Sequence, residues 1–143
     1  MDASAPTVNN GALTTLRADA SPIVNSYLRF TVSGLRAGTI TRVRVLIFAN
    51  SSLNVGLNAQ SVADNTWSET TMTWNTAPVM GGVLATSSSI ATGTWITFNV
   101  TSSGYIIGNG TYSFGISDPS ATAISLASRE SGANAPQLII DTQ

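Results

Sequence analysis

Residues 67–78 of the chain read Trp67-Ser68-Glu69-Thr70-Thr71-Met72-Thr73-Trp74-Asn75-Thr76-Ala77-Pro78, and they hold two of the three tryptophans. If the segment is a strand, Trp67 and Glu69 lie on one face and Trp74 lies on the other, because successive side chains alternate. We expect the two indoles to close the end of a β-sandwich core, and Glu69 to satisfy a buried arginine or backbone donors. The alternative is that the indoles form a platform on which a sugar stacks.

The composition and the periodicity of the chain favour one all-β domain. A length of 143 residues suits a single domain with a sizeable core, and only 9% of the residues are charged. Apolar residues recur with a period near two, with turn signals between the runs, and no segment has a helical pattern. We therefore predict an antiparallel β-sandwich, of the jelly-roll type.

Eight strands are predicted from the alternation, in addition to the tryptophan segment. The most hydrophobic of them, residues 39–49, is apolar on both faces near its end and is predicted to be a central strand. Residues 83–90 are ambiguous, and one short helical turn is expected around residues 105–107. The predicted strands are residues 13–18, 25–33, 39–49, 59–63, 94–100, 111–117, 123–128 and 137–141.

The residue types that the chain lacks exclude several chemistries. It contains no cysteine, histidine or lysine, so all six of its cations are arginines. A thiolate nucleophile, an ordinary zinc site, a Ser-His-Asp triad and a lysine Schiff base are therefore impossible. The net charge of −1 argues against nucleic acid as a partner. No apolar run approaches the ~18 residues of a membrane span.

The start of the chain and its polar composition bear on where the protein acts. Met1 and Asp2 open the sequence without the basic and hydrophobic regions of a signal peptide. We expect residues 1–143 to be a single domain taken from a larger exported protein. Threonine- and serine-rich β-domains are frequent in secreted and surface proteins, so the expected location is extracellular or at the cell surface.

Four segments, taken in order, resemble the DNRLRE or disaggregatase-related domains. The segments are residues 26–30 (SYLRF), 67–78, 93–101 (GTWITFNVT) and 128–130 (SRE) followed by 135–138 (APQL). The resemblance implies a jelly-roll domain similar to carbohydrate-binding modules, of the kind appended to polysaccharide-active enzymes or repeated in surface proteins. Some members of that family bind acidic polysaccharides such as alginate.

Arginines on neighbouring predicted strands suggest how such a polymer is held. If Arg17, Arg29 and Arg44 point from one sheet face, they form a basic groove whose guanidinium groups grip uronate carboxylates. Tyr27 and Trp95 are predicted to lie opposite the apolar faces of their strands, where either could stack on a pyranose ring or simply cover the second sheet. The alternative is that Arg29 pairs internally with an acid, Glu69 or Glu130, while the other arginines are solvated.

A second motif, Ser128-Arg129-Glu130, is expected to be structural. On a strand, Arg129 and Glu130 point to opposite faces and do not pair with each other. Both are predicted to fix the loop before Pro136.

A structural Ca²⁺ ion is a further hypothesis. Calcium takes six to eight oxygen ligands, and Asp2 lies near Asp141 if the first and last strands pair antiparallel. Loop oxygens around Glu130 and Asn134 are further candidate ligands.

These observations favour a non-catalytic, extracellular carbohydrate-binding domain whose partner is a polysaccharide, with a uronate polymer as the specific hypothesis. Glycoside hydrolysis needs two carboxylates flanking the bond, and Glu69 and Glu130 each have a structural explanation. The alternative function is a structural or adhesive building block of a surface fibre or repeat protein. Such a block contacts neighbouring domains or copies of itself through edge strands and has no sugar site.

Overall fold

A computed structural model describes all 143 residues. It contains ten strands and three short 3-10 helices, which span Trp74–Thr76, Thr101–Ser103 and Arg129–Asn134. None of these helices has the length and apolar character needed to cross a membrane. The strands are β1 (Thr15–Ala20), β2 (Ile23–Val24), β3 (Ser26–Val32), β4 (Ile40–Phe48), β5 (Asn58–Val62), β6 (Val83–Thr86), β7 (Trp95–Asn99), β8 (Gly110–Ser117), β9 (Ile124–Ala127) and β10 (Gln137–Thr142).

The strands form three sheets in which every pairing is antiparallel. Their orders are β3-β8-β5-β6, β10-β4-β7 and β2-β1-β9. An isolated bridge between Ala49 and Leu126 joins the end of β4 to β9, so the two three-stranded sheets adjoin. The predicted all-β, antiparallel sandwich is confirmed, and so is the central position of the strand at residues 40–48.

The core lies between these sheets and follows the alternation of the strands. In β4, Val43, Val45 and Ile47 are almost completely buried, while the intervening side chains face outward. Phe98 of β7 and Phe114 of β8 are also fully buried and belong to the same cluster. Each such side chain contributes roughly 1.5–3 kcal/mol through burial. This cluster fixes the positions of β3 and β8, whose outer face supports the tryptophan segment.

The prediction of a strand at residues 67–74 is wrong. Residues 63–73 form a loop that leads into the first 3-10 helix. Local hydrogen bonds explain the difference, because short polar side chains compete with ladder pairing. The Oδ1 atom of Asp64 accepts from the backbone N–H of Thr66 at 2.7 Å, and Thr73 and Thr76 form a reciprocal cap at the helix start.

Two further local predictions differ from the structure. The expected helical turn at residues 105–107 is not formed, and a 3-10 helix occurs slightly earlier, at Thr101–Ser103. Arg129 and Glu130 are expected to be strand residues and residues 132–136 a loop, whereas residues 129–134 form another 3-10 helix. Its first turn is stabilised by Ser128, whose Oγ accepts from the backbone N–H of Glu130 at 3.1 Å. The ambiguous residues 83–90 contain the short strand β6.

Candidate functional site

A cavity of about 500 Å³ opens between β1, β3, residues 67–72 and the start of the third 3-10 helix. This volume is within the range of small-molecule pockets. Three arginines and three acids line it, so its charge is balanced rather than uniformly basic. The charged and aromatic lining residues are Asp2, Arg17, Tyr27, Arg29, Phe30, Trp67, Glu69, Arg129 and Glu130.

Arg29 is the arginine of the cavity that has no acidic partner. Its Nη1 donates to the backbone carbonyls of Asn65, at 3.0 Å, and Trp67. Its guanidinium carbon lies 4.8 Å from the centroid of the Trp67 ring, a distance at which the cation and the ring attract each other. The Nε and Nη2 atoms donate to no group of the protein. Arg29 is exposed, so these two donors are available to a ligand.

Trp67 is held in place by a polar contact with the sheet beneath it. Its indole Nε1 donates to the Oγ of Ser113 at 3.0 Å, and that hydroxyl donates to the Oδ1 of Asn65 at 2.6 Å. Ser113 lies on β8 and is completely buried. The indole therefore covers the outer face of the sheet as a fixed, half-buried surface, rather than filling the core as expected.

Tyr27 forms the next part of the same wall. Its ring packs edge-on against Trp67, with 6.2 Å between the ring centroids. Its hydroxyl donates to the backbone carbonyl of Pro78 at 3.0 Å. Burial raises the pKa of the Tyr27 phenol, so the hydroxyl stays a neutral donor at physiological pH.

Arg129 also lines the cavity and contacts two carboxylates. Its Nη2 lies 2.5 Å from Glu69 and 3.2 Å from Glu130. The prediction that Arg129 and Glu130 do not pair is therefore wrong, because consecutive side chains of a 3-10 helix are about 120° apart and not on opposite faces as in a strand. The Ser128 hydroxyl, with help from Arg129, lowers the pKa of Glu130. Glu69 thus pairs with Arg129, which is largely exposed, and not with Arg29.

The N-terminal loop also holds residues 69–72 in place. The side-chain amide of Asn9 donates to the carbonyls of Glu69 and Met72, both at 2.7 Å. Gly11 approaches so closely that a Cβ atom at this position would lie 1.8 Å from the carbonyl oxygen of Glu69. Asn9-Asn10-Gly11 has the composition of a loop, but the sequence carries no signal that this loop contacts the tryptophan segment.

The other predicted sugar-binding arginines are separated in space. Arg17 lines the cavity from β1 and pairs with Asp19 at 2.8 Å. Arg44 lies on β4, outside the cavity, and pairs with Asp141 at 3.1 Å. Since β1, β3 and β4 belong to three different sheets, the single basic sheet face is not formed. The cavity brings together Arg17, Arg29 and Tyr27 and leaves Arg44 out.

Asp2 and Asp141, the candidate calcium ligands, do not come together through a pairing of the chain ends. Asp2 makes a bridge with Val24, whereas β10, which carries Asp141, pairs with β4. Hydrogen bonds from the hydroxyl and the backbone N–H of Ser4 lower the pKa of Asp2. No group of three or more histidines, cysteines or acids is placed to hold a metal ion.

The two remaining tryptophans lie outside the cavity. Trp74 lines a second, smaller depression, and Tyr27 lines both this depression and the cavity. Trp95 lies on β7 and packs edge-on against Phe48, with 5.4 Å between ring centroids and 37% of its surface exposed.

Comparison with known families matches nearly the whole chain to one of them. The model of carbohydrate-binding module family 96 covers residues 1–142, whereas no curated protein matches the chain. The protein therefore belongs to carbohydrate-binding module family 96. This result confirms the carbohydrate-binding-module character implied by the resemblance, while the narrower DNRLRE name stays a resemblance.

Proposed function

We propose that this member of carbohydrate-binding module family 96 binds an acidic polysaccharide in the cavity, and that Arg29 contacts a uronate carboxylate. The observation that carries the proposal is that the guanidinium group of Arg29 has unpaired donors in the cavity. Arg29 is exposed, it lines the cavity, and its Nε and Nη2 donate to no group of the protein. A guanidinium group offers a planar fork of donors that matches a carboxylate in two parallel hydrogen bonds.

The other two arginines of the cavity have their charge largely compensated. Arg17 pairs with the buried carboxylate of Asp19, and Arg129 lies between Glu69 and Glu130. A ligand carboxylate approaching Arg129 meets two negative charges, which repel it. Arg29 is therefore the position in the cavity that favours a negative group of the ligand most strongly.

The aromatic wall supports the same function. Trp67 and Tyr27 line the cavity beside Arg29, and both are held by hydrogen bonds to groups outside it. A preformed pocket with aromatic surface and a few placed polar groups is the usual architecture of a site for a small ligand. A pyranose ring has such a mixed character, since its C–H faces are apolar and its edge carries hydroxyls.

The contacts that the carboxylates of the cavity make with Arg129 favour binding over hydrolysis. A glycosidase needs one carboxyl group that stays protonated near neutral pH and donates a proton to the leaving oxygen. The Ser128 hydroxyl and Arg129 instead lower the pKa of Glu130, and Glu69 is 2.5 Å from the same arginine. Under this proposal the domain is non-catalytic and acts outside the cell or at its surface, where such polymers occur.

Retention on a panel of polysaccharides tests the proposal. We expect retention on alginate and polygalacturonate, little on neutral glucans, and weakening by salt because exposed charge contacts are screened. The Arg29→Ala variant should bind at least about tenfold more weakly, since a hydrogen bond to a charged group contributes about 1.5–3 kcal/mol.

The matched control is Arg36→Ala, which removes another exposed arginine that has no acidic partner and lies outside the cavity. Circular dichroism of both variants checks that they are folded. Equal retention of wild type and Arg29→Ala on every uronate polymer would refute the proposal. A parallel arm with EDTA tests calcium, because the guanidinium contact needs no metal and retention that disappears with EDTA would mean that a cation takes part.

A further inference from the structure

We propose that the depression beyond Tyr27 is a second sugar subsite, which takes an uncharged sugar residue of the same polysaccharide chain. This inference rests on the proposed function and refines its ligand class. The preferred ligand is then an acidic heteropolysaccharide in which a uronate is followed by a neutral sugar, rather than a polymer of uronates alone.

Continuity with the cavity is the first argument. The depression has a volume of about 370 Å³ and is lined by residues 25, 74 and 77–80 together with residues of β3, β5 and β8. Tyr27 lines both sites. On one side its ring packs against Trp67, and on the other its hydroxyl bonds to the carbonyl of Pro78, which lines the depression. A polysaccharide that leaves the cavity past Tyr27 therefore reaches the indole of Trp74.

The chemistry of the depression is the second argument. It is lined by no charged side chain, whereas the cavity beside it is lined by six. A uronate placed here would lose part of the hydration of its carboxylate without gaining a cation, which is unfavourable. A neutral pyranose has no such cost, and its C–H face fits the electron-rich face of an indole.

The polar groups that remain free in the depression suit sugar hydroxyls. The indole Nε1 of Trp74 and the side-chain amide of Asn25 make no hydrogen bond within the protein. Gln60 and Ser117, by contrast, are ordered by each other through a hydrogen bond of 2.6 Å. Gln60 also donates to the carbonyl of Gly81 at 3.0 Å. The depression thus combines a fixed polar floor with two unpaired donor groups, on Trp74 and Asn25.

Calorimetric titration with defined ligands tests this assignment. The ligands are galacturonate alone, oligogalacturonates, and equally long oligosaccharides in which galacturonate alternates with rhamnose. The alternating ligand should bind wild type about tenfold more tightly than the homopolymer of the same length. Trp74→Ala should remove this difference and leave the affinity for galacturonate, measured by NMR, unchanged. Trp74→Phe, which keeps an aromatic face, should retain part of it.

A second variant avoids any question of folding. Val79 lines the depression with 88% of its surface exposed, so Val79→Glu adds a negative charge without disturbing the core. This substitution should lower the affinity for the alternating ligand several-fold, because the added charge repels the uronates of the ligand. Ile107→Glu is the matched control, because Ile107 is 84% exposed and lines neither site. It should leave binding unchanged.

The outcomes separate the two proposals. Suppose that uronate ligands bind through Arg29. The second subsite is then refuted, and the first stands, if the homopolymer binds as tightly as the alternating ligand. The same holds if neither Trp74→Ala nor Val79→Glu changes the affinity for the alternating ligand. Equal weakening of galacturonate and of the longer ligand by Trp74→Ala also refutes the subsite. If no uronate ligand binds, or if Arg29→Ala leaves the affinity unchanged, the proposed function itself fails.

Discussion

Arg29 and Arg129 line the same cavity but differ in what already surrounds each guanidinium group. Arg129 contacts two carboxylates, whereas Arg29 contacts two backbone carbonyls and the ring of Trp67. Carbonyl groups and an aromatic face orient a cation without neutralising it. The two residues therefore have different roles, since Arg129 holds two segments together and Arg29 keeps a charge available for the ligand.

The carboxylate of Glu130 gives a prediction about pH. Its pKa in the folded state is lowered below its ordinary value of 4.5 by the Ser128 hydroxyl and then by Arg129. The stabilisation that it contributes is therefore complete above that ordinary value and is lost as the pH falls through the lowered pKa. Glu130→Gln should reduce Tm at neutral pH, and the difference from wild type should shrink in acid.

Thermal unfolding of both proteins between about pH 3 and pH 7 measures this effect. A difference in Tm that stays constant across the whole range would contradict the assigned contact.

The close approach of Gly11 to the tryptophan segment gives a second prediction at this scale. A Cβ atom at residue 11 would lie 1.8 Å from the Glu69 carbonyl oxygen, so backbone must move. Gly11→Ala should destabilise the fold by about 1–3 kcal/mol and lower Tm by several degrees. Gly108→Ala is the control, because no atom lies within 4 Å of the corresponding Cβ position. Equal Tm values for the two variants would show that the loop can shift without loss of stability, which would contradict the prediction.

Residues 67–78 are the element on which the site depends, although they form no strand. The segment lies on the outer face of the sheet that contains β3 and β8. Trp67 bonds to Ser113 of β8, Tyr27 of β3 bonds to Pro78, and the first 3-10 helix sets the position of Trp74. The cavity and the smaller depression beside Tyr27 are thus both lined by parts of one segment that is bonded to one sheet.

Removal of the Ser113 hydroxyl tests the attachment of this element. Ser113→Ala leaves the indole N–H of Trp67 and the amide oxygen of Asn65 without their partner. Both groups are partly buried, and an unsatisfied buried polar group costs about 1–3 kcal/mol, so denaturant unfolding should show a loss near the lower end of this range. Ser102→Ala removes an exposed hydroxyl that makes no hydrogen bond and should have no effect. A loss below about 0.5 kcal/mol for Ser113→Ala would mean that packing alone holds Trp67.

The alternation of apolar residues was sufficient to predict eight of the ten strands, but it predicted neither β2 and β6 nor the structure of residues 67–78. Residues 40–48, 95–99 and 110–117 are strands close to where the pattern places them, because burial on one face imposes a period of two. Residues 67–74 also alternate, yet their short polar side chains bond to nearby backbone and side-chain groups. Such local bonds are invisible to a count of apolar positions.

The arrangement of the arginines could not be predicted from the sequence for a different reason. Arg17, Arg29 and Arg44 lie on strands that are near one another along the chain, so a common sheet face was a natural expectation. The pairings observed are long-range, with β1 beside β9, β3 beside β8 and β4 beside β10 and β7. Register and sheet membership depend on partners far along the chain. Within one strand the alternation is sufficient, since Tyr27 and Arg29 are two residues apart on β3 and therefore share one face.

At the scale of the whole molecule, the cavity is assembled from parts that are distant in the chain. The N-terminal loop, β1, β3, residues 67–72 and residues 128–130 each supply part of its lining. None of these parts forms the site alone, and Arg129 and Asn9 bond directly across two of the boundaries. The sandwich thus acts as a rigid support, which reduces the ordering that a ligand must impose when it binds.

The central claim is that the free guanidinium of Arg29 binds a uronate carboxylate. The most direct measurement is a calorimetric titration of a uronate oligosaccharide into wild type, Arg29→Ala, Arg29→Lys and Arg36→Ala at low and high salt. We predict that Kd rises at least about tenfold for Arg29→Ala, rises less for Arg29→Lys, which keeps the charge but not the fork, and is unchanged for Arg36→Ala. An Arg29→Ala protein that is folded and binds the oligosaccharide with the wild-type Kd would contradict the claim.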